Sequence, residues 1–317
     1  MDNAWEGFNA CLFAYGQTGS GKSYSIVGYG ENKGIIPRTC EEIFRRIGEK
    51  AKAEGAKSQY SVSISMIEIY NEKVQDLFTK PEKRPKEGLK IREDPTKGVY
   101  VESAIFSPVN SYEEIEKQIE WGTVNRTIGS TNMNATSSRA HTVTQLVFKQ
   151  KFFNDAGKPE RELISNINLI DLAGSERASG TGATGDRLKE GANINKSLTM
   201  LGQVISALAK AQGGKSKEIV PYRNSKLTYI LKPFLGGNAK TAMIAALSPA
   251  NINYDETMST LRYADGVKKI KNKAIVNESP QDKLIRELKE EIEKLRLGGG
   301  GAGGGGGGGA NGEEVAR

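Results

Sequence analysis

One run of eight residues constrains this chain more than any other. Gly16-Gln17-Thr18-Gly19-Ser20-Gly21-Lys22-Ser23 fits G-x-x-x-x-G-K-[ST], follows the apolar run Ala10 to Tyr15, and precedes a segment able to start a helix. Glycines let such a loop wrap so that successive N–H groups point at phosphate oxygens. Lys22 supplies a cation for the β- and γ-phosphates and Ser23 a hydroxyl for Mg²⁺, with Tyr24 next in line in the same nucleotide-binding run. A strand, loop and helix in that order belong to an α/β domain. Up to about Asn277 the chain alternates short apolar runs with helical patterns, which predicts an α/β fold with a largely parallel sheet and helices on both faces.

The predicted strands are Ala10 to Tyr15, Tyr60 to Tyr70, Thr142 to Phe153, Leu163 to Leu172 and Thr241 to Leu247. The clearest helix runs from about Asn193 to Lys210, with Leu198, Leu201, Ile205 and Leu208 on one apolar stripe. A second helix is marked by Ser279 as N-cap, Pro280 and Asp282, and its Ile285, Leu288, Ile292 and Leu295 keep a heptad spacing. Two heptads are short for a coiled coil, so a helix lying on its own domain and a dimerising neck both stay open.

Composition excludes several classes. The 317 residues carry 45 Lys plus Arg against 38 Asp plus Glu, and no stretch reaches the ~20 apolar residues of a bilayer span. The start of the chain has acids at Asp2 and Glu6 and no basic region, so it does not read as a secretory signal, and a cytosolic location is expected. Cys11 and Cys40 are too few for a disulfide framework or a zinc site, and His141 is the single histidine. Of 37 glycines, 11 lie between Gly298 and Gly309, so residues 298–317 read as a flexible tail and the remaining 26 are an ordinary share.

Two further segments carry chemistry. The strand ending near Ile170 delivers Asp171, followed by Leu172, Ala173 and Gly174, at the end of the sheet where ligands bind in α/β folds. Asp171 is placed to hold Mg²⁺ through water, and the Gly174 amide can register a γ-phosphate. The same D-x-x-G occurs in GTPases, but the guanine-reading N-K-x-D pattern fails because Asn195-Lys196-Ser197 is followed by Leu198; ATP is favoured by elimination. Asn134 to His141 is a dense polar cluster just before a strand. Ser137 and Ser138 suit a water and a metal, and Arg139 can pair with an acid such as Glu176, although isolated serines of this kind are more often turn residues and His141 alone reads as a packed or exposed histidine.

Taken together these residues resemble the kinesin motor domain. The loop resembles G-Q-T-x-x-G-K-[ST], Asn134 to His141 resembles the switch I motif N-x-x-S-S-R-S-H, and Asp171 to Glu176 matches the switch II motif D-L-A-G-S-E. The likeness continues through Lys189 to Leu198 and Pro221 to Thr228, covers roughly Asn3 to Leu295, and over Ala246 to Thr257 and Leu284 to Leu288 is most similar to the third subfamily, the vesicle transporters. It implies a three-layer P-loop motor that hydrolyses Mg·ATP, binds microtubules in the cytoplasm and moves toward the plus end. Ser23 and Ser138 would ligate Mg²⁺ with Asp171 behind them, Asn134 and Ser137 would sit near the γ-phosphate and the attacking water, and Arg139 and Glu176 would bridge the closed switches. Residues 1–267 would form the motor, 268–278 the neck linker and 279–297 the neck helix.

The segment Ala209 to Lys232 holds Lys210, Lys215, Lys217, Arg223, Lys226 and Lys232 against the single acid Glu218. Such a patch seeks an acidic partner, and in this position it looks like the kinesin surface that binds tubulin. A nucleic-acid partner is not expected, because no basic patch is interleaved with base-stacking aromatics. Two departures stand out. Ala140 replaces the last Ser of the switch I motif, and the family usually carries further strands before the point where this sequence begins, whose absence would leave Thr241 to Leu247 at a sheet edge. Met1 falls inside what resembles a helix, so a sequence shortened at its start is expected rather than a natural short protein, with a nucleotide-insensitive microtubule-binding fragment as the other reading.

Overall fold

The structure, a computed structural model, describes residues 1–95, 98–133, 137–176, 186–212 and 219–278, together with Leu284, Ile285, Leu288, Glu291, Ile292, Lys294 and Leu295. The side chains of residues 54, 56, 130–133, 137, 186–195 and 212 are not among those described. The chain divides into two units, Met1–Asn277 and Glu278–Arg317. In the second, Leu284, Ile285, Leu288, Glu291, Ile292, Lys294 and Leu295 are helical, and Ile285, Leu288, Ile292 and Leu295 are exposed.

In chain order the first unit contains α1 (Asp2–Trp5), β1 (Ala10–Tyr15), α2 (Lys22–Ile26), β2 (Gly28–Tyr29), β3 (Asn32–Lys33), α3 (Ile35–Glu54), β4 (Ser58–Tyr70), β5 (Lys73–Asp76), β6 (Ile91–Asp94) and β7 (Gly98–Val101). It continues with β8 (Ser107–Val109), α4 (Tyr112–Met133), β9 (His141–Phe153), β10 (Pro159–Asp171), α5 (Asp186–Gln212), α6 (Lys226–Leu231), β11 (Lys240–Ala245) and α7 (Tyr254–Lys268). The main sheet has the order β11-β1-β10-β9-β4-β5, with β8 added on β4.

The α/β class holds, but the sheet is mixed rather than mostly parallel. Among the described strands of the main sheet, the pairings of β1 with β10 and β11 are parallel, whereas β10–β9, β9–β4, β4–β5 and β4–β8 are antiparallel. Connection length decides this, because a parallel return needs a crossover of a dozen or more residues. Residues 154–158 between β9 and β10 are too few for one, and Asn154 Oδ1 closes them by accepting from the Ala156 and Lys158 amides. Between β4 and β5, Asn71 and Glu72 both take positive φ, 50° and 59°, as a two-residue hairpin requires.

Helices cover both faces. Strand residues Phe13, Ile67, Ile69 and Ile170 meet Leu201, Val204, Ile205 and Leu208 of α5 and Leu227 and Leu231 of α6 on one side. Alternate strand residues, among them Ile64, Met66, Leu146, Phe148, Ile167 and Leu169, meet Ile36, Cys40 and Ile43 of α3 and Ile115 of α4 on the other. Local chemistry sets the helix starts. Pro37 lies in the first turn of α3, where its missing N–H costs nothing, and at α4 Ser111 Oγ accepts from the Glu114 amide while the Glu114 carboxylate accepts from Asn110 N.

Past α7 the chain is fastened to the domain by side chains with paired donor and acceptor groups. Asn272 donates to Phe234 O and Ala239 O and accepts from Gly236 N, each at 2.8 Å. Asn277 N donates to Gly7 O at 2.9 Å and Asn277 O accepts from Ile164 N at 3.1 Å. The strand expected at an edge, now β11, does end the main sheet. Among the described residues no helix is long and apolar enough to cross a membrane.

Phe148 is fully buried, with Trp5 edge-on at 4.8 Å. Phe148→Ala should destabilise the domain by about 3–5 kcal/mol, read as a lower urea midpoint at unchanged slope; a shift of only a few tenths would show that this face of the sheet is loosely packed.

Candidate nucleotide site

β1 delivers the glycine-rich loop to the end of the sheet where β10 and β11 also finish. Ala14 lies in register with Asp171 and Ile244, so the exits of three parallel strands converge. The loop is tied to both neighbours: Gly16 O accepts from Ser175 N at 3.1 Å, and Tyr15 O accepts from Ala246 N at 2.9 Å. Gly16 is obligatory here, since a Cβ would lie 2.2 Å from Ala246 O. The loop also closes on itself. Gln17 O accepts from Lys22 Nζ and from Ser20 Oγ, both at 2.8 Å.

Lys22 is only 7% exposed. Burial lowers its pKa, and the negative charges of Asp171 and Glu176 oppose that shift. Ser23 Oγ donates to Asp171 Oδ2 at 2.5 Å, while Asp171 Oδ1 is buried without a hydrogen-bond partner among the described residues. Burial raises the pKa of Asp171, opposed by the Ser23 hydrogen bond and by the charges of Arg126 and Lys22. A buried carboxylate with one oxygen unmatched, next to a hydroxyl, is a hard-oxygen donor set that fits Mg²⁺ carried in by phosphates and water. Among the described residues no group of three or more His, Cys, Asp or Glu forms a self-sufficient metal site.

The segment after Asp171 lies against the loop. Gly174 N donates to Ser138 O at 2.9 Å, linking the two segments singled out in the sequence. No side chain fits at Gly174, because a Cβ would stand 2.3 Å from both Thr18 Oγ1 and Glu176 Oε2. Glu176 is placed on the loop. Its carboxylate accepts from Thr18 N at 2.8 Å and Thr18 Oγ1 at 2.5 Å. The reason is electrostatic: the loop's N–H groups attract an anion, and Glu176 lies within reach of them. Tyr24 is about half exposed on the solvent side, with the Tyr29 ring 6.2 Å away. Asn134 lies outside the described residues, and Ser137 is described only as backbone at the head of a short turn of helix, Ser137–Arg139.

The basic segment is less free than its composition suggests. Lys215 and Lys217 lie outside the described residues. Glu93, brought in from the β6–β7 hairpin, pairs with Arg223 at 3.1 Å and also with Lys232. Lys226 is exposed at the start of α6 and Lys210 lies in the last turn of α5.

The kinesin motor domain profile matches residues 1–270. The chain belongs to the kinesin motor family. It is 56% identical over 296 residues to kinesin-related protein 1 of Dictyostelium discoideum and 52% identical over 297 residues to kinesin-like protein KIF1C of Homo sapiens, in each case across 93% of this chain. It spans 13% and 26% of those relatives' lengths. Relatives such as these and kinesin-like protein KIF1A of Rattus norvegicus, 51% identical, place it with the third subfamily. Among solved structures it is similar to KIF14 bound to AMP-PNP in complex with a microtubule, at 48% identity and a TM-score of 0.81 over 90% of this chain and 78% of that one. A fast kinesin gives a TM-score of 0.77 at 41% identity, over 88% and 76% of the two chains.

Two groups around this kinesin site were not legible from spacing. Arg126 of α4 pairs with Glu68 of β4 at 3.2 Å, largely buried, and its charge reaches Asp171. His141 is buried behind the loop: Nδ1 accepts from Ala173 N at 2.9 Å, and Nε2 meets Ser197 Oγ at 2.7 Å. Each pairing joins residues more than thirty positions apart, which no local pattern reveals.

Burial, with the charge of Lys22, pushes the His141 pKa down to about 3. Below the ordinary value near 6.5 the unfolded chain takes a proton that the native ring refuses, so stability is full above that pH and is lost as pH falls. His141→Asn removes this titration. Between pH ~7 and pH ~5 the variant should lose about 2 kcal/mol less stability than wild type, measured by chemical unfolding at each pH; parallel losses would show that His141 protonates without penalty.

Proposed function

We propose that this chain is the motor portion of an ATP-driven microtubule motor, hydrolysing Mg·ATP with microtubule stimulation and moving toward the plus end. The observation that carries this reading is the pairing of Ser23 with Asp171 beside the buried Lys22, at the point where three parallel strands end. The triphosphate lies along the amides of Gly16 to Ser23, with Lys22 Nζ turned from Gln17 O toward the β- and γ-phosphates. Ser23 and Ser138, with Asp171 behind them, would hold Mg²⁺, which when bound neutralises phosphate charge. Asn134 and Ser137 would sit near the γ-phosphate and the attacking water.

Phosphate and the Glu176 carboxylate compete for the same Thr18 amide. Arrival of the phosphates therefore releases Glu176 toward Arg139, and the Gly174 amide turns from Ser138 O to the γ-phosphate. Closure then supplies the positioning and electrostatics that phosphoryl transfer needs. The stretch 268–278 acts as neck linker and 279–297 as neck helix, whose exposed Ile285, Leu288, Ile292 and Leu295 support a homodimer. Lys210, Lys215, Lys217, Arg223 and Lys226 would bind the acidic tubulin surface, with Arg223 moderated by Glu93. The protein works in the cytoplasm on the microtubule cytoskeleton.

Steady-state ATPase with and without microtubules tests this. Wild type should be stimulated, Lys22→Ala should lose about two orders of magnitude or more in kcat/KM, and Glu176→Ala should bind ATP without hydrolysing it. Equal rates in all three would remove the mechanism, and microtubule co-sedimentation indifferent to nucleotide would point to a binding module. Chelating Mg²⁺ should weaken binding of a fluorescent ATP analogue to wild type by about tenfold or more and to Asp171→Asn much less; equal weakening would take Asp171 out of the metal's surroundings.

A further inference from the structure

Two consecutive amides beside the phosphate loop are held by one short segment. Gly174 N is bonded to Ser138 O, and Ala173 N to His141 Nδ1, both at 2.9 Å. A ring nitrogen that accepts carries no proton, so the His141 proton sits on Nε2 and is donated to Ser197 Oγ at 2.7 Å. The ring has little freedom. His141 is 2% exposed, begins β9 and is paired with Ile69 of β4, while Ser197 is 3% exposed on the buried face of α5 beside Leu198. The ring stays neutral across the physiological range, so its donor and acceptor ends do not exchange.

We propose that His141 is a positioning residue that carries a displacement at Gly174 to α5, gripping the Ala173 amide with Nδ1 and the Ser197 hydroxyl with Nε2–H. The proposal rests on the reading of the loop as an ATP site. When the Gly174 amide leaves Ser138 O, the Ala173–Gly174 peptide pivots, and the adjoining Ala173 N–H pulls on a planar ring that cannot bend. The far side of that ring is bonded to the helix whose last turn carries Lys210. A buried hydrogen bond resists breaking because each unmatched partner would be left dry, so the ring and Ser197 move together.

Hydrogen exchange on the full chain, with and without Mg²⁺ and a non-hydrolysable ATP analogue, tests this. In wild type the nucleotide should alter exchange both in residues 171–176 and in residues 197–212 of α5, the latter by about tenfold. Ser197→Ala cuts the Nε2 contact alone. His141→Asn places an amide oxygen near the Nδ1 position but is too short to reach Ser197. Both variants should keep the response at 171–176 and reduce that of α5 to below about twofold, while Ser197→Thr, which retains the hydroxyl, should restore it. A purely structural role would not separate the two responses or be rescued by a hydroxyl. An α5 response intact in Ser197→Ala, absent in wild type, or lost equally in Ser197→Thr overturns the proposal. No response anywhere in wild type overturns the ATP reading and the proposal with it, and is distinguished by the silent 171–176 segment.

Discussion

The parallel register of β1 between β10 and β11 is the constraint on which the site depends. Ala10 pairs with Ile167 and Ala14 with Asp171, so the residue that answers Ser23 emerges beside the loop that carries Ser23. A slip of one residue would send Asp171 to the opposite face and exchange the two hydrophobic sets of the sheet. Phe13 and Ile170 on one side, and Ile167 and Leu169 on the other, oppose that slip. Packing far from the chemistry thus holds its geometry.

That geometry concentrates charge where water is scarce. Lys22 and Asp171 are both desolvated, with pKa values moved toward the neutral forms, and each is partly held by the other's field. Asp171 Oδ1 is buried with no hydrogen-bond partner among the described residues. Glu176 satisfies the Thr18 amide with an anion of the protein's own. The Thr18 amide thus already faces negative charge.

Much of this was readable along the chain because it is local. The loop's residue types and order, the stripe of α5 and the β1 run each express a period or a turn requirement within a few residues. The sheet's mixed character was less readable, since the buried strands β9 and β10 show no periodicity that separates parallel from antiparallel neighbours; the short link closed by Asn154 decides it. The basic segment likewise has a partner that only the fold supplies. Its charge excess ignored Glu93, which lies 130 positions before Arg223 and meets it only after the β6–β7 hairpin packs on α6.

By itself the sequence determined the family, the α/β class and the identity of the loop, because backbone wrapping around phosphate demands glycine, lysine and a hydroxyl at fixed spacing. Tertiary structure alone decided the partners. It gave Glu176 to Thr18, Arg126 to Glu68 and His141 to Ala173 and Ser197. Those pairings span from 32 to 158 positions of chain, and the buried ones, those of His141, are strengthened by the exclusion of water between groups that only the packed sheet and helices bring together.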